Sequence, residues 1–269
     1  MEFCKKGEIA MKKRFGAGKS YADVLTILLV IIIIAIIALL SYLAYKVIDK
    51  QNVETAALNS NDEFLAAAEE NKKAIAKAQK DDTEVEVPTE IDFEKANAVI
   101  NYDNLGQTTE VEEDTTSPNV EIKKTYLGNY EVKGSIDIPK TNCKYPILEK
   151  VTVDSLKKSI AIMEIVANPE LNRTVKDLNV AGTNAFILGH NYRNGQFFSN
   201  NDKLAIGDKI KITDQTGTTV TYTIYYMFYT TPDDASFMER DIDINTREIT
   251  LQTCNDDSSE RLIILAKDN

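Results

Sequence analysis

Hydrophobic positions fall into three regimes along the chain. From Val24 to Tyr45 no residue is charged, and Ile and Leu recur on every face. A helix of about 22 such residues spans about 33 Å, which matches the hydrocarbon core of a bilayer. A buried core helix would show a polar stripe, and this segment has none. It is also longer than the apolar core of a signal peptide, and no small-x-small cleavage site follows it. The expectation is an uncleaved signal-anchor over residues 23–47.

The second regime, residues 48–118, reads as a stalk or linker, helical in its first part and disordered after it. Asn52 to Lys80 is alanine-rich, with charged pairs at helical spacing such as Glu69 and Lys73. Its larger apolar residues, Leu58, Phe64, Leu65 and Ile75, are too sparse for a core. Thr83–Pro88 and the acidic run Glu110–Asp114 cannot bury enough apolar surface to offset chain entropy. This reading gives a solvated spacer; the other possibility is a lid over a site.

From about residue 119 the pattern turns to short strand-like runs. Tyr130–Ile138 alternates partly and is stopped by Pro139. Ala185–Leu188, Lys209–Thr213, Thr218–Thr230, Ile249–Thr253 and Arg261–Ala266 are apolar, β-branched or aromatic. Asp214-Gln215-Thr216-Gly217 marks a hairpin turn. Between Val153 and Ala167, Leu156, Ile160, Met163 and Val166 recur at helical spacing and predict a helix. Many strands with one or two short helices over residues 119–269 predict a mainly β domain, closed or nearly closed as a barrel.

Charge adds orientation. Lys5, Lys6, Lys12, Lys13, Arg14 and Lys19 precede the apolar span, whereas only Lys46 and Lys50 follow closely. The positive-inside rule keeps residues 1–22 cytoplasmic and puts everything after the span outside, with a single crossing. A net charge of -11 argues against a nucleic-acid partner, which needs clustered Lys and Arg. The three cysteines, Cys4, Cys143 and Cys254, form no Cys-x-x-Cys or Cys/His cluster, so no zinc site is expected. With one histidine in the chain, any imidazole chemistry belongs to His190.

Three residue types suited to acyl transfer sit at three strand ends. Cys254 closes the run Ile249–Thr253, just before the polar loop Asn-Asp-Asp-Ser-Ser. Arg261 opens the next run, and His190 follows Ile187-Leu188-Gly189. A thiolate is a nucleophile, an imidazole can protonate a leaving amine, and an arginine can hold a developing oxyanion.

Thr250-Leu251-Gln252-Thr253-Cys254 resembles the TLxTC signature of sortases, with Arg261 where their arginine follows. Gly189-His190-Asn191 resembles their glycine-histidine segment. Gly134-Ser135-Ile136-Asp137-Ile138-Pro139-Lys140 resembles the motif that opens their barrel. Phe197-Phe198, Leu204 and Gly207-Asp208 resemble the stretch after the histidine. The similarity runs in order from about Tyr130 to the C-terminus.

The resemblance implies an eight-stranded barrel with short helices and no cofactor. It also implies cleavage of an LPXTG-like sorting signal at the end of a secreted protein of a Gram-positive bacterium. Cys254 would attack the threonine carbonyl and form a thioacyl-enzyme. His190 would pass protons, and Arg261 would stabilise the oxyanion. Thr253, Leu251 and Asn191 are candidate substrate contacts. The acceptor would be the amine of a peptidoglycan precursor or a pilin lysine. Reference pKa values of about 8.5 for a thiol and 6.5 for an imidazole make the thiolate–imidazolium pair a minority species. The short stretch before Ile249 departs from class B sortases. The missing Asp-Pro-aromatic motif and second apolar span depart from class C.

Two competing readings accompany this one. Both extracellular cysteines could form a structural Cys143–Cys254 disulfide in a catalytically inactive, membrane-tethered binding module. Asp233, Asp234, Glu239, Asp241 and Asp243 crowd one segment, where calcium is conceivable, although a solvated acidic loop fits the spacing better.

Overall fold

The computed structural model describes residues 17–83 and 120–268. Cys4, the basic residues before position 17 and the acidic run 110–114 lie outside these residues. Helix α1 covers Ala17–Thr83. The chain divides into one unit ending at Asn52 and a second from Val53 onward. In the first unit the side chains from Val24 to Ile48 are exposed all round, including Ile32, Ile36 and Leu40. This stretch is apolar and long enough to cross a membrane.

The second unit is built on a closed eight-stranded β-barrel. Strands β2 (Tyr130–Ile138), β3 (Cys143–Leu148), β4 (Ile160–Ala167), β5 (Thr183–Leu188), β6 (Lys209–Asp214), β7 (Thr219–Thr230), β8 (Arg247–Cys254) and β9 (Arg261–Lys267) form the wall. Their order around it is β2-β3-β4-β5-β8-β9-β7-β6, and β6 pairs back onto β2. A two-residue β1 (Tyr126–Leu127) adds a hairpin to β2. All neighbours are antiparallel except β3–β4 and β5–β8. Parallel neighbours require a crossover. For β3–β4 this is α2 (Val153–Lys158), whose start is fixed by reciprocal bonds between Thr152 and Ser155.

The barrel interior is an isoleucine-rich core, including Ile136, Ile147, Ile187, Ile212, Leu251 and Ile264. Side chains alternate between this core and the outer face, as the pleat demands. The expected turn at 214–217 is present: Gly217 N donates to Asp214 O, and the strands on either side pair in register.

Two sequence expectations are corrected. The helix expected over 153–167 stops at Lys158. Ser159 is extended, its hydroxyl donates to Pro146 O at 2.6 Å, and Ile160–Ala167 continues as β4. The β-branched run Ile160, Ile162, Ile165 and Val166 suits a strand that pairs on both sides. Strand β3 went unanticipated because Pro146 stands inside it.

The second correction concerns the segment read as a solvated spacer. Residues 53–83 are helical, and the stripe Ala57, Ser60, Asn61, Phe64, Ala67, Ala68 and Asn71 is buried. Phe64 packs with Val132, Leu148 and Ala161 on the outer face of the barrel. Asn71 donates to Lys123 O at 3.0 Å and Gln215 O at 2.8 Å, and accepts from Lys123 N at 2.9 Å. A side chain at Gly217 would place its Cβ 2.4 Å from Ala68 O, so glycine lets the β6–β7 turn meet the helix.

The same turn is latched to β2 through Glu131. Its carboxylate accepts from Gln215 at 2.8 Å, Lys133 at 2.9 Å and Lys124 at 3.1 Å. Burial alone would raise its pKa, but these donors outweigh burial and lower it from 4.5 to about 2. A depressed carboxylate contributes stability that is complete above its unfolded pKa and lost as pH falls through the folded one. Wild type therefore loses stability between about pH 4.5 and 2 through this group. In denaturant titrations across that range, the advantage of wild type over Glu131→Gln should shrink steadily. An advantage that stays constant with pH would refute the latch.

Candidate active site

Two parallel strands bring the sequence candidates together. Leu188 on β5 pairs with Gln252 on β8, and Gly189 N donates to Gln252 O at 3.1 Å. His190 and Cys254 each lie two residues beyond that pair, so they leave neighbouring strands at the same level. Adjacent strands are about 4.8 Å apart. Ile249 and Leu251 fill the core, so alternation puts Thr250, Gln252 and Cys254 on the outer face. Cys254 is half-buried and free. Its antiparallel partner across the β8–β9 turn is Arg261. Directly opposed residues share a face, with Cβ atoms about 5 Å apart. The Arg261 guanidinium meets the carbonyls of Ser258 at 3.3 Å and Glu260 at 3.2 Å.

The glycine of the glycine-histidine pair has a steric reason. A Cβ at Gly189 would sit 2.6 Å from Phe198 and 2.7 Å from Ile160. The chain after His190 folds back on itself: Phe198 N donates to His190 O, and Asn191 bridges Phe197. Asn191, expected as a substrate contact, ties the two strand ends together. Its Nδ2 donates to Cys254 O at 3.1 Å and to Asp256 Oδ1 at 3.2 Å. Arg193 adds a second tie, donating to Ser258 Oγ at 3.1 Å.

The His190 ring is half-buried and stacks on Tyr192, with centroids 4.8 Å apart at 33°. Burial, with a smaller contribution from Lys157 on α2, pushes the imidazole pKa below 6.5. The ring is then neutral at pH 7 and able to accept a proton.

The remaining candidates lie elsewhere. Leu251 is fully buried in the barrel core, so it packs inside the wall instead of facing a substrate. Thr253 is also buried, with its hydroxyl unpartnered among the described residues. Cys143 points into the core and is 3% exposed, and burial drives its thiol pKa far up. Cys143 and Cys254 are both free thiols, so the disulfide alternative is not favoured. The site partners that sequence reasoning missed are Tyr192, Arg193 and Lys157. Only the placement of Tyr192 two residues after the histidine offered a signal.

The acidic segment 231–246 lies over the outer face of β5 and β8. Phe237 packs on Phe186 at 6.1 Å, and Arg240 reaches Glu248 at 2.9 Å and the Tyr225 hydroxyl at 2.7 Å. Asp234 accepts from Thr230 and Ser236, and Asp243 accepts from Asn245. Among the described residues no three His, Cys, Asp or Glu side chains converge as metal ligands.

Comparison with known proteins follows the same residues. The sortase domain model matches residues 136–269. Sortase A from Corynebacterium diphtheriae, lid mutant, is 26% identical over 52% of this chain and 71% of its own, with a TM-score of 0.44. A Clostridium perfringens sortase D5 transpeptidase is 30% identical over 55% of this chain and 82% of its own, at TM-score 0.42. A Clostridium perfringens sortase C solved with the C-terminal cell wall sorting motif is 23% identical over 51% and 70%, at 0.41. No curated protein matches.

Proposed function

The chain belongs to the sortase family, and on that premise we propose that it is a membrane-anchored cysteine transpeptidase acting on LPXTG-like sorting signals. The observation that carries this reading is the shared register of β5 and β8, with Arg261 opposite Cys254. This pairing carries Cys254, Arg261 and the segment after β5 that holds His190 to the same end of three neighbouring strands, which supports the reading.

In this reading Cys254 gives its proton to neutral His190 as the sulfur attacks the threonine carbonyl. A C–S bond forms, and Arg261 faces the oxyanion. Collapse breaks the Thr–Gly bond, and His190 returns the proton to the leaving glycine amine. An acceptor amine then gives a proton to His190 and attacks the thioester. The sulfur leaves as thiolate and takes that proton back from His190, so the new amide is released and the Cys254 thiol and neutral imidazole are restored. The acceptor is a cell-wall precursor amine or a pilin lysine. Residues 23–47 anchor the enzyme, with residues 1–22 cytoplasmic and the barrel on the cell surface.

The test uses the full-length chain in detergent micelles with fluorogenic LPXTG-like peptides and three acceptors: triglycine, a diaminopimelate peptide and a lysine peptide. Ligated product detected by mass spectrometry, dependent on one of the amines, is the expected result. Absence of both ligation and a thioacyl adduct on Cys254 across the panel would defeat the proposal.

A further inference from the structure

An imidazole that passes protons between a thiol and an amine must be held in one orientation. A misplacement of about 1 Å can cost about 100-fold in rate. Among the described residues no side chain or carbonyl hydrogen-bonds to the His190 ring. The contact that restrains it is aromatic. The Tyr192 ring lies against His190 at 4.8 Å and against Phe197 at 5.8 Å. Phe197 is 2% exposed and meets Tyr145 edge-on at 5.0 Å, so the stack is rooted in the barrel core. Tyr192 is itself fixed at its backbone: its N–H donates to Ser199 Oγ at 3.1 Å, and Ser199 donates to Gln196 O at 2.6 Å. The ladder Tyr145–Phe197–Tyr192–His190 connects packed interior to reacting ring.

We propose that Tyr192 is a positioning residue: its ring, seated on Phe197, sets the orientation and hydration of the His190 imidazole beside Cys254. The assignment deepens the transpeptidase reading and rests on His190 as the proton carrier. A sulfur-to-amine proton path needs the imidazole edge in place, and a stacked face restrains the ring while leaving both nitrogens free. Tyr192 is 40% exposed, so truncating it opens the imidazole to water without emptying the core.

The chain holds one histidine, so a full-length sample labelled at histidine Cε1 in detergent micelles gives one imidazole signal. Wild type, Tyr192→Ala and Tyr192→Phe are titrated by NMR and assayed for ligation. In Tyr192→Ala the midpoint should rise toward 6.5, because burial is what depresses it, while Lys157 on α2 stays in place. Its kcat should fall about 10- to 100-fold with KM within about threefold. Tyr192→Phe keeps the ring and should match wild type in both. An unchanged His190 titration in Tyr192→Ala would overturn the proposal. So would an unchanged kcat, or a Tyr192→Phe variant as impaired as Tyr192→Ala. If wild type ligates no peptide, the transpeptidase reading falls, and the His190 titration alone decides whether Tyr192 positions the ring.

Discussion

Cys254→Ala is expected to lower ligation by at least about a thousandfold while leaving the chain folded. The size of the loss follows from chemistry: alanine cannot form the thioester, and no neighbouring thiol can replace it. Cys143, the other cysteine among the described residues, is sealed in the barrel core at 3% exposure, its thiol held protonated by burial. The tolerance of the fold follows from placement. Cys254 is half-buried at the end of β8, outside the core that Leu251 and Ile249 fill. Losing one sulfur there belongs with surface changes, within about 0.5 kcal/mol. The paired measurement is iodoacetamide labelling with peptide mapping. Cys254 should alkylate under native conditions and Cys143 only after unfolding. Residual ligation above about a tenth of wild type, or native labelling at Cys143 ahead of Cys254, would refute Cys254 as the nucleophile.

The strand ends that carry the candidate residues were legible in the sequence. Thr250–Cys254 announced an alternating strand followed by a polar loop, and the alternation puts Cys254 on the outer face once Leu251 goes inward. Which strands are neighbours is a long-range fact. Nothing local in Thr183–Leu188 says that it runs parallel to Arg247–Cys254, yet that pairing places His190 level with Cys254. Periodicity also failed where two periods overlap. Leu156, Ile160, Met163 and Val166 fit a helix, but Ser159 separates a capped turn from a strand. Side-chain roles within motifs were the least legible. Leu251 and Asn191 were both read as substrate contacts; the first fills the core and the second clips the Cys254 carbonyl.

The largest misreading, the solvated spacer, yields the second strong prediction. Phe64→Ala should destabilise the folded chain by about 3–5 kcal/mol, the range for removing a buried phenylalanine. An alanine-rich helix with so few large residues cannot form a core alone, and that fact misled the sequence reading. The barrel supplies the missing partners: Val132, Leu148 and Ala161 present an apolar outer face to Phe64, which is 2% exposed. The rest of the buried stripe is weak. Ala57, Ala67 and Ala68 add little area, and Ser60 and Asn61 are buried without side-chain partners among the described residues, which costs stability. Asn71 is satisfied, but its bonds contribute about 1 kcal/mol each at most. Phe64 is therefore the largest buried contact of the helix, with Leu65 and Val53 partly buried against the barrel as well. Leu58, on the same helix but 39% exposed, serves as the control, and Leu58→Ala should cost well under 1 kcal/mol. Urea unfolding of both variants in detergent micelles, followed by tyrosine fluorescence since the chain has no tryptophan, measures the difference. Equal midpoints for the two variants would mean that residues 53–83 do not pack on the barrel. A large gap would make this helix part of the catalytic domain, so that a piece beginning at residue 119 would expose Val132, Leu148 and Ala161 to water.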